Sequence, residues 1–423
     1  MNSNSRLEKP DVLIAGAGMA GLALAAALAD SEVSVLLIDP QMPPSPDQWP
    51  DAFDPRVSAL THASENILRK LGVWDDMAQY RISPFAHMDV WDRDGTGNIQ
   101  FHARDVGEEH VGHIVENRIT THCLLQRVQA ADNIEIRQQG LQKILERDQA
   151  DGWLVVLEDG AELQPAILVG ADGGRSRVRD QLGFRCRTWD YGQQAIVTTV
   201  KTEQPHQCTA RQVFLESGPL AFLPLQEGAG NHHRSCISSI VWTLGHEQSK
   251  ALTEMDDAAF CSQLAQAFEH RLGAVLSVDR RFRFPLIQNH AVYYAMPGVA
   301  LIGDAAHSLH PLAGQGINLG FLDAAVLAEE IHRAAENQLP MQDFSILRRY
   351  QRRRKPHNLL MMSAMEGFKQ LFGADLAPLR VLRNRGMSLF NQHGHLKNHI
   401  MVRAMGMEGD LPVLAQPGLI ADF

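Results

Sequence analysis

The 423-residue sequence predicts a mixed α/β (α+β) fold: a Rossmann-like dinucleotide-binding domain, a β-rich domain inserted into it, and a helical C-terminal region. Three observations predict this. The chain opens with a βαβ unit carrying Gly16-Ala-Gly18-Met-Ala-Gly21 at its first turn. From Arg187 to Arg283 it changes to short β-rich segments separated by turns. Beyond Asp323 it is helical with few turn signals.

In the first element, Asp11 to Ala15 is a buried strand, Leu22 to Asp30 a helix, and Val33 to Ile38 a second strand ending at Asp39. GxGxxG at the turn, with an acidic residue about twenty positions on, is the pattern of an ADP-containing dinucleotide site. Gly16 and Gly18 permit the tight turn and the approach of a pyrophosphate, Gly21 permits close helix–strand packing, and Asp39 is placed for ribose hydroxyls. The pattern does not separate FAD from NAD, and Asp39 as a water-facing strand end remains the plain alternative.

Gln41 to Pro55 is a Pro-rich loop, followed by Asp54-Pro-Arg56 and a helix over Ala63 to Leu71. Arg56 is placed to reach a pyrophosphate or a ring face, or else to pair with Asp54 at the surface. Val90 to Phe101 alternates around Asp94-Gly95 as a hairpin. His113 to Arg118 leads into a helix ending near Ala131, and Asn133 to Arg137 and Trp153 to Leu157 are further strands. In Ile167 to Arg179 a buried strand ends at Asp172-Gly173, a turn that requires the glycine, and Ser176 caps a short helix.

The inserted domain holds strands at Ala195 to Lys201, Gln212 to Leu215, Leu220 to Leu225 and Ser235 to Thr243, then a helix over Glu247 to Leu272. Phe282 to Pro285 carries the chain back. On this reading the cofactor domain comprises 1–75, 102–186 and 284–335, the β-rich domain 76–101 and 187–283, and the helical region 336–423.

The stretch from Ala300 to Asp323 organises the rest. A buried strand is followed by Gly303-Asp304, a turn at Pro311, the loop Gly314-Gln315-Gly316, and a helix from Asn318 to Ile331. Glycines let backbone N–H groups approach a planar ring, and the helix that follows directs its positive end there. A flavin suits such a socket because reduction places negative charge on its pyrimidine side. Asp304 would accept hydrogen bonds from a ribityl or ribose hydroxyl. An ordinary strand–turn–helix capped by Asp304 is the alternative.

In the C-terminal region Arg352-Arg-Arg-Lys355 reads as a solvated face. Met361, Met362, Met365, Phe368 and Leu371, then Leu376, Leu379, Val381 and Leu382, read as core rather than membrane contact. His393, His395 and His399 read as surface residues, and His307 and His310 lack the partners of a metal site.

Composition sets the outer limits. The chain is 45% hydrophobic and 21% charged, as in a globular enzyme, and its net charge of −10 argues against general nucleic-acid binding. Five scattered cysteines without a CxxC pair fit a reduced compartment. The polar Met1 to Pro10 has no apolar signal core, and no run of about eighteen apolar residues exists, so the expected location is cytoplasmic.

Taken in order, GAGMAG at 16–21, GADGGRSRVR at 170–179 and GDAAHSLHPLAGQGINLGFLD at 303–323 resemble the single-component FAD-dependent aromatic hydroxylases. The third motif looks most like their ubiquinone-biosynthesis branch, which hydroxylates polyprenylated phenols. The resemblance spans roughly Asp11 to Ile331. It implies that Gly16, Gly18 and Gly21 cradle the FAD pyrophosphate and that Asp39 holds the adenosine ribose. It places Arg56 near the isoalloxazine and makes Arg118 a further cofactor contact. Asp172 and Gly173 would lie near FAD and the nicotinamide cofactor, with Gly303 and Asp304 at the ribityl chain. Pro311, Gly314, Gln315, Gly316 and Asn318 would lie against the flavin ring.

The resemblance also implies NAD(P)H as transient reductant, oxygen as co-substrate, a flavin hydroperoxide, and a hydrophobic prenylated phenol as substrate. It leaves open a homo-oligomer and contact with the inner membrane surface or a quinone-biosynthesis complex. Tyr191, Tyr293 and His290 are candidate bases for the phenol. A hydroxylase of small soluble aromatics and a non-catalytic flavin-fold accessory protein are the alternatives. For a lipid-linked substrate, an apolar tunnel near the C-terminal helices is expected.

Overall fold

The computed structural model describes residues 7–93, 97–147, 152–227, 234–308, 316–373, 391 and 393–417. Val12–Ala15, fully apolar and buried on both faces, is the centre of a six-stranded sheet. Val35–Ile38 pairs on one side of it and Ile167–Gly170 on the other, both parallel. Val299–Leu301 and Ile134–Arg137 extend the parallel array, and Ala295–Met296 closes one edge antiparallel. Continuous apolar runs are what a sheet covered on both faces requires. Helices Met19–Ala27, Asn117–Gln129 and Gly316–Glu336 pack against this unit, and its core is the largest in the molecule.

The second large sheet has nine strands. Its spine is a 17-residue strand, Cys186–Thr202, longer than the Ala195 to Lys201 segment predicted and antiparallel to both Ile237–Gly245 and Phe282–Ala291. A register shift between Asp190 and Gln194, beside Gly192 at φ +62°, bends this strand as it leaves the first sheet's neighbourhood. His87–Asp92 and Asn98–His102 form the expected hairpin strands, whose tip lies outside the described residues. The predicted helix over Glu247 to Leu272 is two helices, His246–Glu254 and Asp257–Ala267. The break falls at Asp256, whose carboxylate accepts the N–H of Ala259 and caps the second. A small sheet of Val57–Leu60, Gly112–Glu116 and Ile82–Phe85 lies between the two larger ones.

The Phe344–Gly373 helix packs along Gly316–Glu336, and Gly394–Ala404 follows. Met362 is buried, whereas Leu359 and Leu360 are exposed. The side chains of Met365, Phe368 and Leu371 and all of 376–382 lie outside the described residues. Arg352 to Lys355 is not a uniform solvated face. Arg353 pairs with Glu329, Glu330 and Asp410, and Arg354 is buried. His393 and His399 are exposed, and His399 faces Glu408 at 3.5 Å; the side chain of His395 is not described. All five cysteines are free thiols, and among the described residues no helix is long and apolar enough to cross a membrane.

Candidate active site

Because the four central strands run parallel and in register, their carboxyl ends form one rim. Ala15 lies opposite Ile38 on one side and Gly170 on the other, and Gly170 lies opposite Leu301. Each strand hands over to a motif singled out in the sequence: Gly16 to Gly21, Asp39, Asp172-Gly173 and Gly303-Asp304. The rim therefore brings those motifs to one crevice, at the point where neighbouring connections diverge to opposite sides, the usual ligand position in an open α/β sheet.

Close packing fixes the crevice walls. A Cβ on Gly16 would sit 2.4 Å from the Ala171 carbonyl oxygen, and one on Gly21 would sit 2.0 Å from the oxygen of Gly16, so no side chain fits at either position. Gly18 differs: a Cβ there meets nothing within 4 Å. Gly303, at φ +56°, packs on Ala20 and Gly320, which joins the first motif to the third. The Asp39 carboxylate accepts the N–H of Ala17 at 2.7 Å and of Gln41 at 2.8 Å, tying the second strand's end to the glycine turn. Asp172 accepts the N–H groups of Arg177 (2.6 Å) and Val178 (3.2 Å), and Ser176 caps the same short helix as expected. Arg179, missed in the sequence, spans the second and third motifs by donating to the carbonyls of Gly174 and Ala305.

Asp304 is exposed, yet protein surrounds it closely enough that desolvation pushes its carboxyl above the ordinary value, with nearby His307 opposing. A carboxylate that is both reachable and crowded lies at the floor of a cleft. Its backbone is set from below by Asp323, which is fully buried and accepts hydrogen bonds from Gly303 N–H at 3.1 Å, His307 Nε2 at 2.5 Å, Arg354 Nε at 2.8 Å and Asn358 Nδ2 at 3.1 Å. Burial alone would raise the Asp323 carboxyl. The attraction of His307 and Arg354, with their hydrogen bonds, overcomes that and holds it well below the usual range. Tyr350 adds a hydrogen bond to the Leu301 carbonyl, so the Phe344–Gly373 helix grips the strand that ends at Asp304.

Other predicted site residues are placed less simply. Asn318 is buried and tied into the protein: its Oδ1 accepts from Thr61 N–H and Ser64 Oγ and its Nδ2 donates to the Ala59 carbonyl. Arg118 is held by Glu116 at 2.7 Å, by the carbonyls of Pro50 and Ala52, and over the Trp49 ring, so in this state it anchors the Pro-rich loop. Arg56 is exposed and, among the described residues, forms no ion pair, including none with Asp54. Gly316, expected in the loop, already belongs to the helix, which among the described residues starts two residues before the expected Asn318 and runs to Glu336, past Ile331. Pro311, Gly314 and Gln315 lie outside the described residues.

Next to Asn318's anchor is an apolar cavity of about 100 Å³. Leu60 and Thr61 form one end, Phe85 and Ile114 a side, and Met401 and Met405, near the end of the last helix, the outer wall. Gln212 brings a polar group to it, whereas the neighbouring Arg211 turns its guanidinium to the His206 carbonyl at 2.8 Å. The cavity is assembled from two sheets and a helix distant in sequence, so its lining residues had no local signal, although the resemblance implied an apolar space near the C-terminal helices. None of the three candidate bases lines it. Tyr191 is bound by Gln288 and Glu366, and burial, with Glu366, pushes its hydroxyl up. Tyr293 is exposed beside Lys355. His290 is buried against Tyr294, and burial, with His307, Lys355 and Arg187, pushes it down to about 4.

Three features test whether the rim suits the FAD implied by the motifs. Gly18 leaves backbone open to a diphosphate, Asp172 Oδ1 is buried without a hydrogen-bond partner among the described residues, and Arg56 is an exposed cation with no ion pair among them. These fit. Gly18→Ala is expected to leave stability within about 0.5 kcal/mol of the parent while lowering FAD content, because its Cβ enters only ligand space. Gly21→Ala should lower the melting temperature of the cofactor-free protein. Absorbance of bound flavin and thermal denaturation separate the two.

Comparison with known proteins gives the same picture. The FAD binding domain family matches residues 9–364. The 3-demethoxyubiquinol 3-hydroxylase of Escherichia coli is 33% identical over 94% of this chain and 98% of its own length. The ubiquinone hydroxylase UbiL of Rhodospirillum rubrum is 36% identical over 94% and 89%, and the human mitochondrial ubiquinone biosynthesis monooxygenase COQ6 is 32% identical over 93% and 92%. Among solved structures, PqsL of Pseudomonas aeruginosa superposes with a TM-score of 0.75 at 21% identity over 90% of this chain and all of its own. The p-nitrophenol 4-monooxygenase PnpA of Pseudomonas putida gives 0.74 at 18% over 94% and 98%. At those identities the structures speak for the fold.

Proposed function

This chain belongs to the FAD binding domain family, and from that premise we propose that it hydroxylates the aromatic ring of a polyprenylated phenol in ubiquinone biosynthesis, as an FAD-dependent monooxygenase. The observation that supports the substrate reading is the apolar cavity beside the Ala59 and Thr61 backbone that Asn318 binds, walled in part by Met401 and Met405 at the end of the Gly394–Ala404 helix. Methionine is unbranched and adapts to irregular apolar guests, so this wall suits a prenylated ring better than a polar one.

Bound FAD supplies the electron transfer and oxygen activation. The chain's own residues do the rest. Gly18 leaves its backbone open to the pyrophosphate, while Gly16, whose N–H is held by the Ile38 carbonyl at 2.8 Å, makes the tight turn; Arg56 is the counter-charge. Asp39 and Asp304 accept from ribose and ribityl hydroxyls. The start of Gly316–Glu336 directs its positive end at the ring edge. Gln212, on the cavity face of its strand, is placed to orient the phenol oxygen, and the apolar walls exclude water from the reacting centre. NAD(P)H binds transiently across the same groove, since the sequence holds no second GxGxxG unit.

The test is oxygen-dependent NAD(P)H consumption by the yellow protein, stimulated by a prenylated phenol. Stimulation only by small soluble aromatics would replace this reading with that of a catabolic hydroxylase. Flavin binding without turnover on any phenol would leave the accessory-protein reading. Ala404, exposed and lining the cavity, offers a sharper probe. Ala404→Phe is expected to raise KM for the prenylated phenol about tenfold, equivalent to about 1.4 kcal/mol, with FAD content unchanged.

A further inference from the structure

A second cluster of chemistry-bearing side chains lies behind the cavity wall and takes no part in the proposed reaction. His62 and Glu65 share a face of the first turn of the His62–Lys70 helix, three residues apart. His110 lies in the segment leading into Gly112–Glu116, and His113 lies within that strand. His110 Nε2 is 2.9 Å from Glu65 Oε2, and His113 Nδ1 is 3.3 Å from the same oxygen. One donor atom each from His62, Glu65 and His110 lies within 4.8 Å of the others.

We propose that His62, Glu65 and His110, with His113 as the fourth donor, form a binding site for a borderline divalent metal ion of the Zn²⁺ class. Two ligand atoms on a tetrahedral Zn²⁺ are about 3.3 Å apart, given metal–ligand distances near 2.0–2.1 Å, and the two contacts to Glu65 Oε2 already approach that spacing. Two to three imidazoles and one carboxylate suit zinc, nickel or copper rather than calcium or magnesium. Glu65 Oε1 is occupied by Arg69 at 2.7 Å, which leaves Oε2 for single-point coordination. His62 reaches the set by turning out of its stack on His110, where its Nε2 meets the His110 carbonyl at 2.8 Å.

The protonation states suit coordination. Burial alone would raise the Glu65 carboxyl; hydrogen bonds from His110 and Arg69, with His113 close by at 3.3 Å, overcome it and keep the group anionic. Burial pushes His113 down, favouring the neutral ring, and its Nδ1 has no hydrogen bond that meets ordinary geometry. Glu108, 4.0 Å from His62 Nδ1, adds negative charge at the rim. The ion would pin the helix start to the strand beside it. Both carry walls of the substrate cavity, through Leu60 and Thr61 on one and Val111 and Ile114 on the other.

The test is equilibrium dialysis of untagged, chelator-treated holoprotein against Zn²⁺, with metal content measured by mass spectrometry. One equivalent at micromolar free metal is expected. His110→Ala and Glu65→Gln should each weaken binding at least about tenfold, the loss that even a supporting residue of a metal site produces. His110 is partly exposed, so its variant should fold even where that of the buried Glu65 does not. His399→Ala, which removes an exposed histidine that faces Glu408 and not the cluster, should bind as the parent does. No stoichiometric uptake at 100-fold excess metal over protein, or uptake equal in His110→Ala and the parent, would overturn the site.

Discussion

Arg354→Met is expected to lower the free energy of unfolding by about 3–5 kcal/mol, the range for removing one partner of a buried ion pair. Methionine fills much of the volume, so the loss is electrostatic. Asp323 remains fully buried with its charge opposed only by His307, Asn358 and the Gly303 N–H. The pH dependence gives an independent check. In the parent, Asp323 has a folded pKa below its unfolded one, so its stabilisation is complete above the ordinary carboxylate value near 4 and is lost as pH falls through the folded value. In the variant the folded pKa rises, so the unfavourable charge is relieved on acidification. The stability gap between the two proteins should therefore narrow from neutral pH towards pH 3, measured by urea denaturation. A gap constant over that range would mean that Arg354 contributes packing and not charge. The double variant Asp323→Asn with Arg354→Met should recover part of the loss, since no uncompensated charge remains.

Asp304→Ala should lose most of its bound FAD, with affinity reduced roughly ten- to hundredfold, the equivalent of about 1.5–3 kcal/mol for a hydrogen bond to a charged group. Its side chain is exposed on the floor of the crevice and makes no contact that holds the apo fold together among the described residues, so the melting temperature of the cofactor-free protein should change little. That separates it from Arg354, where the fold itself is at stake. Because desolvation raises the Asp304 carboxyl, FAD release from the parent on acidification should begin above the pH at which an ordinary carboxylate titrates. Flavin fluorescence after dialysis reads both effects, and Asp304→Ala protein that purified fully yellow would remove this residue from the cofactor site.

Much of the cofactor domain was legible because its signals are local. A strand, a glycine turn and an acidic residue some twenty positions on are read within one supersecondary unit, and the other two motifs each sit directly after a short apolar strand. What escaped was set by contacts distant in sequence. Arg354 sits in a run of four basic residues, and the run suggested a solvated face. Helical spacing gave the missed clue, since Leu347, Tyr350, Arg354 and Asn358 fall on one stripe, of which the first two are plainly core-forming. Asp323 closed the third motif on paper, but its partner lies 31 residues on. The split of Glu247 to Leu272 was readable, since Asp256 is a strong N-cap residue inside an otherwise helical pattern. The cavity and the His62–Glu65–His110 cluster had no local signature, because each draws on segments paired only by tertiary folding.

The crevice is made of strand ends supplied at Gly16, Asp39, Asp172 and Asp304, and the last is steadied by Asp323 with Arg354 and Asn358. A ribosome emits these in that order, so a nascent chain has most of its Rossmann strands long before it has a complete flavin seat. On the proposed site, vitamin capture is expected to come late in the life of each polypeptide. Fragments ending before Asn358 should emerge colourless, however well their first strands have paired.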